Sequence, residues 1–234
     1  MTLDHPIFTR WPAQDPDRLQ LFSAPTPNGV KVAIMLEETG LGYEPHRIDI
    51  MAAENHDPAF LALNPNGKIP AIYDPNGPSG TPLALFESGA ILLYLADKTG
   101  QFISADPNTR YETIQWVMWQ MGGVGPMFGQ VGFFNKFAGK AYEDKRPRDR
   151  YATESARLLG VLDERLAGRD SVMGADYQEG EHIARLWRDC QADAAQYHHC
   201  DSGSDRAQHR SPRIVHGGIS TCRALFLTHC PASR

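Results

Sequence analysis

The stretch APTPNG, residues 24–29, places a hydroxyl and an amide at a predicted junction between a strand and a helix. Residues 19–22 are mainly apolar, and residues 18–23 are typical of a strand. Residues 27–39 are typical of a helix, because proline suits the first helical turn. Free backbone N–H groups at a helix N-terminus bind anions and favour thiolates. Such a junction is a typical place for an anionic or thiolate ligand, but the turn holds only Thr26 and Asn28, neither of which is a strong nucleophile.

Cysteine is confined to the end of the chain, at Cys190, Cys200, Cys222 and Cys230. Residues 1–189 therefore contain neither a Cys-x-x-Cys redox pair nor a cysteine nucleophile. Any thiol chemistry in this part of the chain needs a thiol that a ligand brings. The cysteines and the YHHC segment match no common zinc spacing, so we expect no metal site.

The segment NPNGKIPAI, residues 64–72, is a turn followed by a short strand that contains a proline. If the Ile69–Pro70 bond is cis, the backbone N–H and C=O of Ile69 are available to pair with an extended peptide ligand. An ordinary trans proline on an edge strand is the alternative, and it is commoner for an isolated proline. The residues alone leave both open.

The segment LFESGAI, residues 85–91, places Glu87 and Ser88 where a predicted strand turns into a predicted helix. A serine hydroxyl and the free amides of a first helical turn attract a carboxylate, and a glutamate beside them pairs with an ammonium. The two residues together suit a ligand that resembles an amino-acid zwitterion. The alternative is that Ser88 only caps its own helix.

The elements that must position these residues follow the order βαβαββα over residues 18–100, with further predicted strands at 43–50, 68–74 and 81–87 and helices at 56–65 and 88–100. After a linker at 101–109 the pattern becomes helical. One predicted helix has apolar or small residues at three- and four-residue spacing: Tyr151, Ser155, Leu158, Leu159, Leu162 and Leu166. Five further residues belong to the core or, less commonly for such spacing, line a ligand pocket: Trp116, Met118, Trp119, Met127 and Phe128.

Composition sets broad limits on the class of protein. The chain has 23 Lys and Arg against 28 Asp and Glu, a mildly acidic balance that argues against a nucleic-acid partner. No apolar run approaches the roughly 20 residues of a membrane helix. The N-terminus has no pattern of a targeting peptide, so we expect a soluble cytoplasmic protein.

The final segment, residues 178–234, has a different composition from the rest of the chain. It contains seven arginines, six of the nine histidines and no lysine, and its apolar periodicity fades. A frameshifted reading would produce such a composition, and we expect a tail of this kind to be poorly ordered. An authentic divergent tail is the alternative.

Three segments, SAPTPNGVKVAIMLEE, NPNGKIPAI and LFESGAILLYLADKTG, resemble the glutathione transferase family in type, order and spacing. Two later segments, TIQWVMWQMGGVGPMFGQ and RYATESARLLGVLDERLAGRD, resemble its nu class, a bacterial branch with glutathione-dependent disulfide reductase activity. The resemblance implies an α/β thioredoxin-like N-terminal domain at 18–100. An all-α C-terminal domain follows, and residues 107–177 form its first part.

The resemblance also implies the roles of individual residues. Thr26 and Asn28 match the nu-like positions beside the glutathione thiol, so the ligand's own thiolate is the nucleophile. The implied glutathione contacts are Asn55, Lys68, Ile69, Glu87, Ser88 and Arg150.

These implied contacts divide among the parts of glutathione. Lys68 and Ile69 meet its glycyl and cysteinyl portions, whereas Glu87 and Ser88 hold its γ-glutamyl end. Asn55 stands where nu-class relatives usually have glutamine, which is a departure from the family pattern.

Arg150 matches an arginine that reaches glutathione in the neighbouring subunit, so the resemblance implies a homodimer. A solvated charge at a helix start is the alternative for this residue. The expected activity is glutathione-dependent disulfide reduction or transfer to electrophiles. A glutathione-binding or regulatory protein with weak catalysis is the alternative.

Overall fold

The computed structural model describes residues 3–169 and 171–173 of the 234-residue chain. The predictions for the tail at 178–234 lie outside the described residues. The order βαβαββα expected for the first domain is confirmed, with these bounds: β1 Leu19–Ser23, α1 Pro27–Thr39, β2 Tyr43–Arg47, α2 Pro58–Leu63, β3 Ala71–Asp74, β4 Leu83–Phe86 and α3 Ser88–Thr99. The described part of the second domain is helical, with these bounds: α4 Pro107–Trp119, α5 Gly125–Lys136 and α6 Arg146–Leu166.

The four strands form one mixed sheet in the order β2-β1-β3-β4. β2 is parallel to β1, whereas β3 is antiparallel to both of its neighbours. Phe22 lies opposite Ala71, and Ala71 lies opposite Phe86. The segments that follow β1 and β4 and the segment that precedes β3 therefore lie at the same end of the sheet. These are the segments that carry Thr26, Ser88 and Ile69.

Each face of the sheet is covered by apolar side chains, because successive residues of a strand point to opposite faces. Leu19 and Leu21 of β1 pack with α1 and α3 in the larger core cluster. Phe22 points to the other face, where it packs with Phe60 of α2 and Ile7. This layering follows from the alternating pattern and holds the strand ends in place.

The N-terminal arm, residues 3–17, is an ordered part of the fold to which the sequence analysis gave no role. It contains a 3₁₀ turn at Pro6–Thr9, in which Ile7 is fully buried. Arg10 forms ion pairs with Glu54 at 3.4 Å and Asp57 at 3.7 Å. The arm therefore contacts α2 and the segment that leads into it.

The arm also reaches the outer strand of the sheet. The backbone N–H groups of Gln14 and Asp15 donate to the Glu44 carboxylate on β2 at 2.8 to 3.1 Å. Gln20 of β1 donates its side-chain amide to the Asp15 carbonyl at 2.9 Å. Residues 14 and 15 are thereby fixed beside β2.

The second domain differs from expectation at three points. A π-helical turn at Gln120–Val124 separates α4 from α5, and the sequence pattern did not predict it. Leu159 is 41% exposed although it was placed on the buried face of α6, because that face runs through Ser155 and Leu158. Met118 is 47% exposed, so its assignment to the core is wrong, whereas Phe128 is buried against Leu158.

None of the helices in the described ranges is both long enough and apolar enough to cross a membrane.

Candidate functional site

Thr26 lies at the N-cap of α1, which begins at Pro27 as predicted. Its Oγ1 accepts a hydrogen bond of 3.3 Å from the backbone N–H of Gly29. The hydroxyl hydrogen remains available to donate, since a hydroxyl is both an acceptor and a donor. Asn28 is exposed in the first turn, and its side-chain amide bonds to no other described residue. The α1 N-terminus therefore offers a hydroxyl and an amide donor to a ligand.

Gly29 allows α1 to start this close to β1. A Cβ at this position would lie 2.1 Å from the Ala24 carbonyl oxygen and 2.4 Å from Ser23 Oγ. Any larger residue would push the helix start away from the strand end. Sequence analysis did not single out this glycine, although a glycine in the first turn of a helix is itself a signal of close packing.

The Ile69–Pro70 peptide bond is cis, so the first of the two alternatives for this segment is correct. The backbone N–H and C=O of Ile69 make no hydrogen bond within the described residues. Lys68 has an exposed side chain, and its carbonyl accepts from Asn64 Nδ2 at 2.5 Å. The turn is thus held from inside the protein while the Ile69 backbone remains available to a ligand.

Asn55 supports this turn through its amide. Its Nδ2 donates to the Gly67 carbonyl at 2.7 Å and lies 3.3 Å from His56 Nε2. Its side-chain oxygen is left to accept from a ligand. The shorter side chain, compared with the glutamine of the nu-class pattern, is therefore engaged with the turn that carries Lys68 and Ile69.

Glu87 and Ser88 form the junction between β4 and α3, but not in the way that the capping alternative predicted. Glu87 occupies the N-cap with φ 70° and ψ 110°, and its side chain makes no capping bond. Ser88 is the first helical residue and is 3% exposed. Its hydroxyl donates to Met121 Sδ at 3.6 Å, so Ser88 does not cap its own helix.

Arg150 is exposed in the first turns of α6. It contributes to a lowered pKa of Glu154, after the larger effect of the hydrogen bond from Arg157. Within the described residues no hydrogen bond or ion pair joins Arg150 to the other predicted site residues. The single chain therefore brings five of the implied glutathione contacts to one end of the sheet region and leaves Arg150 on the helical domain.

A buried junction connects this region to the π-helical turn. Lys31 of α1 is 3% exposed, and its Nζ donates to Gln120 Oε1 at 3.0 Å and lies 3.4 Å from Met121 Sδ. Gly89 has no room for a side chain, because a Cβ there would lie 2.7 Å from Met121 Cγ. Sequence analysis missed this junction, since lysine is expected at the surface.

In the part of the chain that the structure describes, no three His, Cys, Asp or Glu side chains group closely enough to hold an ion.

The fold is shared with known proteins. Residues 17–97 match the glutathione S-transferase N-terminal domain. The chain is 43% identical over 170 residues to the disulfide-bond oxidoreductase YfcG of Escherichia coli, covering 72% of this chain and 78% of YfcG. It is 41% identical over 175 residues to the disulfide-bond oxidoreductase YghU of the same organism, covering 72% of this chain but only 59% of YghU.

Two solved structures are more similar still. A glutathione transferase from Pseudomonas putida, with one glutathione disulfide bound per subunit, has a TM-score of 0.77 and 58% identity, over 83% of this chain and 85% of that one. A glutathione transferase from Burkholderia graminis, with two glutathione molecules bound per subunit, has a TM-score of 0.76 and 63% identity, over 81% of this chain and 80% of that one. The chain belongs to the glutathione S-transferase family.

Proposed function

We propose that this protein is a glutathione-dependent disulfide reductase in which bound glutathione supplies the nucleophile. The observation that carries the proposal is the start of α1. There, the Thr26 hydroxyl and the exposed Asn28 amide lie at the helix N-terminus, in a stretch of chain without cysteine. A helix N-terminus and hydrogen-bond donors lower the pKa of a thiol from its free value of about 8.5. Glutathione held there is a thiolate at neutral pH.

The reaction proceeds by two thiol–disulfide exchanges. The thiolate of bound glutathione attacks one sulfur of the substrate disulfide, the S–S bond breaks, and the other sulfur leaves as a thiolate that takes up a proton. A second glutathione thiolate then attacks the mixed disulfide, which releases the second substrate thiol and forms glutathione disulfide. Two glutathione molecules are oxidised and one substrate disulfide is reduced.

The remaining residues hold glutathione along the strand ends. The unbonded N–H and C=O of Ile69 pair with the cysteinyl backbone as an added strand would. Lys68 and Asn55 bind the glycyl end of glutathione. Ser88 and the first amides of α3 bind the γ-glutamyl carboxylate, and Glu87 pairs with its ammonium. The two glutathione molecules bound by the Burkholderia graminis protein support a site that accommodates both reductants.

The proposal includes a homodimer in the cytoplasm. Arg150 is exposed on α6 of the single chain. In the proposed dimer its guanidinium binds a carboxylate of the glutathione held by the neighbouring subunit. The cytoplasmic glutathione pool is reducing, which the exchange reactions require. Light scattering behind size-exclusion chromatography tests the dimer, and a monomer that retains full activity contradicts it.

A catalytically weak glutathione-binding protein of the same fold is the second candidate, and the departure at Asn55 is the observation that favours it. Steady-state assays with hydroxyethyl disulfide and with a chloronitrobenzene electrophile separate the candidates. We expect glutathione-dependent turnover of the disulfide. Binding of glutathione without turnover of either substrate would establish the second candidate instead.

A further inference from the structure

Ser88 contacts the second domain through a hydrogen bond to a sulfur atom. Its hydroxyl donates to Met121 Sδ at 3.6 Å, and Met121 belongs to the π-helical turn rather than to the glutathione-binding domain. Gly89, the next residue of α3, is packed directly under the Met121 side chain. Lys31 Nζ of α1 donates to the same sulfur at 3.4 Å, so α1 and α3 both hold the sulfur beside the hydroxyl.

The chemistry of this contact is suited to ligand exchange. A hydroxyl has one hydrogen to donate, and a thioether sulfur is a weak acceptor. A carboxylate accepts much more strongly, since hydrogen bonds to charged groups are about twice as strong as neutral ones. The Ser88 hydroxyl therefore switches its hydrogen bond from Met121 to a carboxylate ligand at the α3 N-terminus at little cost in free energy. A stronger acceptor at residue 121 would keep the hydrogen bond from the Ser88 hydroxyl.

The π-helical turn is what brings Met121 to this place. Such turns insert one extra residue into a helix and are frequent at functional sites. Gln120, the preceding residue, is buried and accepts from Lys31, and Gly125 leaves room for its side chain, since a Cβ there would lie 3.0 Å from Gln120 Nε2. The turn thus contacts α1 through residues 120 and 121 and contacts α3 through residue 121.

We propose that Met121 is a positioning residue that sets the affinity for the γ-glutamyl carboxylate by holding the Ser88 hydroxyl in a weak, exchangeable bond. The inference rests on the proposed function, because it assigns Ser88 to that carboxylate. Met121 acts through Ser88 and takes no part in the sulfur exchange. Its identity therefore affects glutathione binding and leaves the rate at saturation nearly unchanged.

The test is a double-mutant cycle between residues 88 and 121, with glutathione affinity measured by calorimetry. Met121→Gln places a strong amide acceptor beside the hydroxyl, and we expect the Kd to rise about tenfold with kcat for disulfide reduction nearly unchanged. Met121→Leu removes the acceptor, and we expect the Kd to fall by about twofold. In the Ser88→Ala background, the difference between the Gln and Leu variants should disappear.

Met118→Gln is the matched control, because it makes the same substitution on the exposed face of α4. We expect it to leave the Kd unchanged, and melting temperatures identify any variant that fails to fold. An effect of Met121→Gln that persists in the Ser88→Ala background would overturn the inference, as would a Met121→Leu variant that binds more weakly than wild type. Wild-type protein that does not bind glutathione would instead overturn the proposed function itself.

Discussion

Lys31 Nζ, on the first helix of the sheet domain, lies 3.0 Å from Gln120 Oε1, on the turn between two helices of the second domain. Both side chains are buried. A buried hydrogen bond that involves a charged group contributes more to stability than a neutral one, and removal of one partner leaves the other desolvated. This pair therefore holds the α1 helix at a fixed distance from the π-helical turn.

Gln120→Leu should destabilise the protein, because the Lys31 ammonium then loses its amide acceptor in a buried position. We expect a decrease of about 1–3 kcal/mol in the free energy of unfolding, measured by urea denaturation. Gln115→Leu is the control, since Gln115 is exposed on α4. Equal stabilities for the two variants would mean that the junction contributes little.

Thr26→Ala should lower kcat/KM for disulfide reduction by about 10- to 100-fold, as expected for one hydrogen bond to a charged group. Thr26→Ser retains the hydroxyl and should keep most of the activity. The Thr26→Ser variant also controls for loss of the N-cap hydrogen bond, because serine keeps that bond. Asn28→Ala should impair activity at least as much as Thr26→Ala. Wild-type kcat/KM in the Thr26→Ala, Asn28→Ala double variant would show that this turn does not activate the thiol.

Ser88→Ala should weaken glutathione binding more than it lowers kcat at saturation, because the hydroxyl serves a part of the ligand remote from the sulfur. We expect a loss of about tenfold in affinity by calorimetry, in line with a charge-assisted hydrogen bond. Ser79→Ala, in an exposed turn of the same domain, is the control. An unchanged Kd would reduce Ser88 to a packing residue.

Gly29→Ala should disrupt the site and the fold together, since its Cβ would lie 2.1 Å from the Ala24 carbonyl oxygen. Overpacking of this kind costs about 1–3 kcal/mol or more. Gly129→Ala in α5 is the matched control, because a Cβ there meets nothing within 4 Å. That control should stabilise the helix by up to about 1 kcal/mol. Thermal unfolding of both variants tests whether the two substitutions change stability in opposite directions. A Gly29→Ala protein as stable as wild type contradicts the packing argument.

His46 should make the protein less stable in mild acid. Burial lowers the pKa of His46 from its ordinary 6.5, against the attraction of Glu44. Because the unfolded chain binds the proton more readily, the stability is present above about pH 6.5 and is lost as the pH falls below that value. His46→Gln should show a smaller loss of unfolding free energy than wild type between about pH 7 and pH 5.5.

His56→Gln removes an exposed histidine and serves as the control for the pH experiment. We expect it to keep the wild-type slope of stability against pH. A His46→Gln protein with that same slope would show that residues other than His46 cause the loss of stability in acid.

The bounds of the helices were largely predictable because proline, aspartate and glycine mark them. Asp57 caps α2 ahead of Pro58, and Gly40 ends α1 with φ 69°, as residue types alone suggest. Such signals are local, so they survive without knowledge of the tertiary structure. The α1 start, which carries the proposed thiol site, was predictable for the same reason.

The buried junction of the two domains was not predictable, because its members contradict the usual preferences of their residue types. Lys31 is buried, and Ser88 bonds to a sulfur rather than to its own helix. The π-helical turn at Gln120–Val124 has no periodic signature in a sequence this rich in glycine. These features depend on which elements meet in space, which a one-dimensional pattern does not contain.

The N-terminal arm has a consequence for how the molecule behaves in concentrated solution. β2 forms one edge of the sheet, and an unprotected edge is a template on which strands of other chains can pair. The backbone amides of Gln14 and Asp15, bound to the Glu44 carboxylate, fix the arm along this edge. Pro45, in the middle of β2, offers no N–H to an incoming strand. The arm and this proline therefore protect the β2 edge against the addition of a strand from another chain.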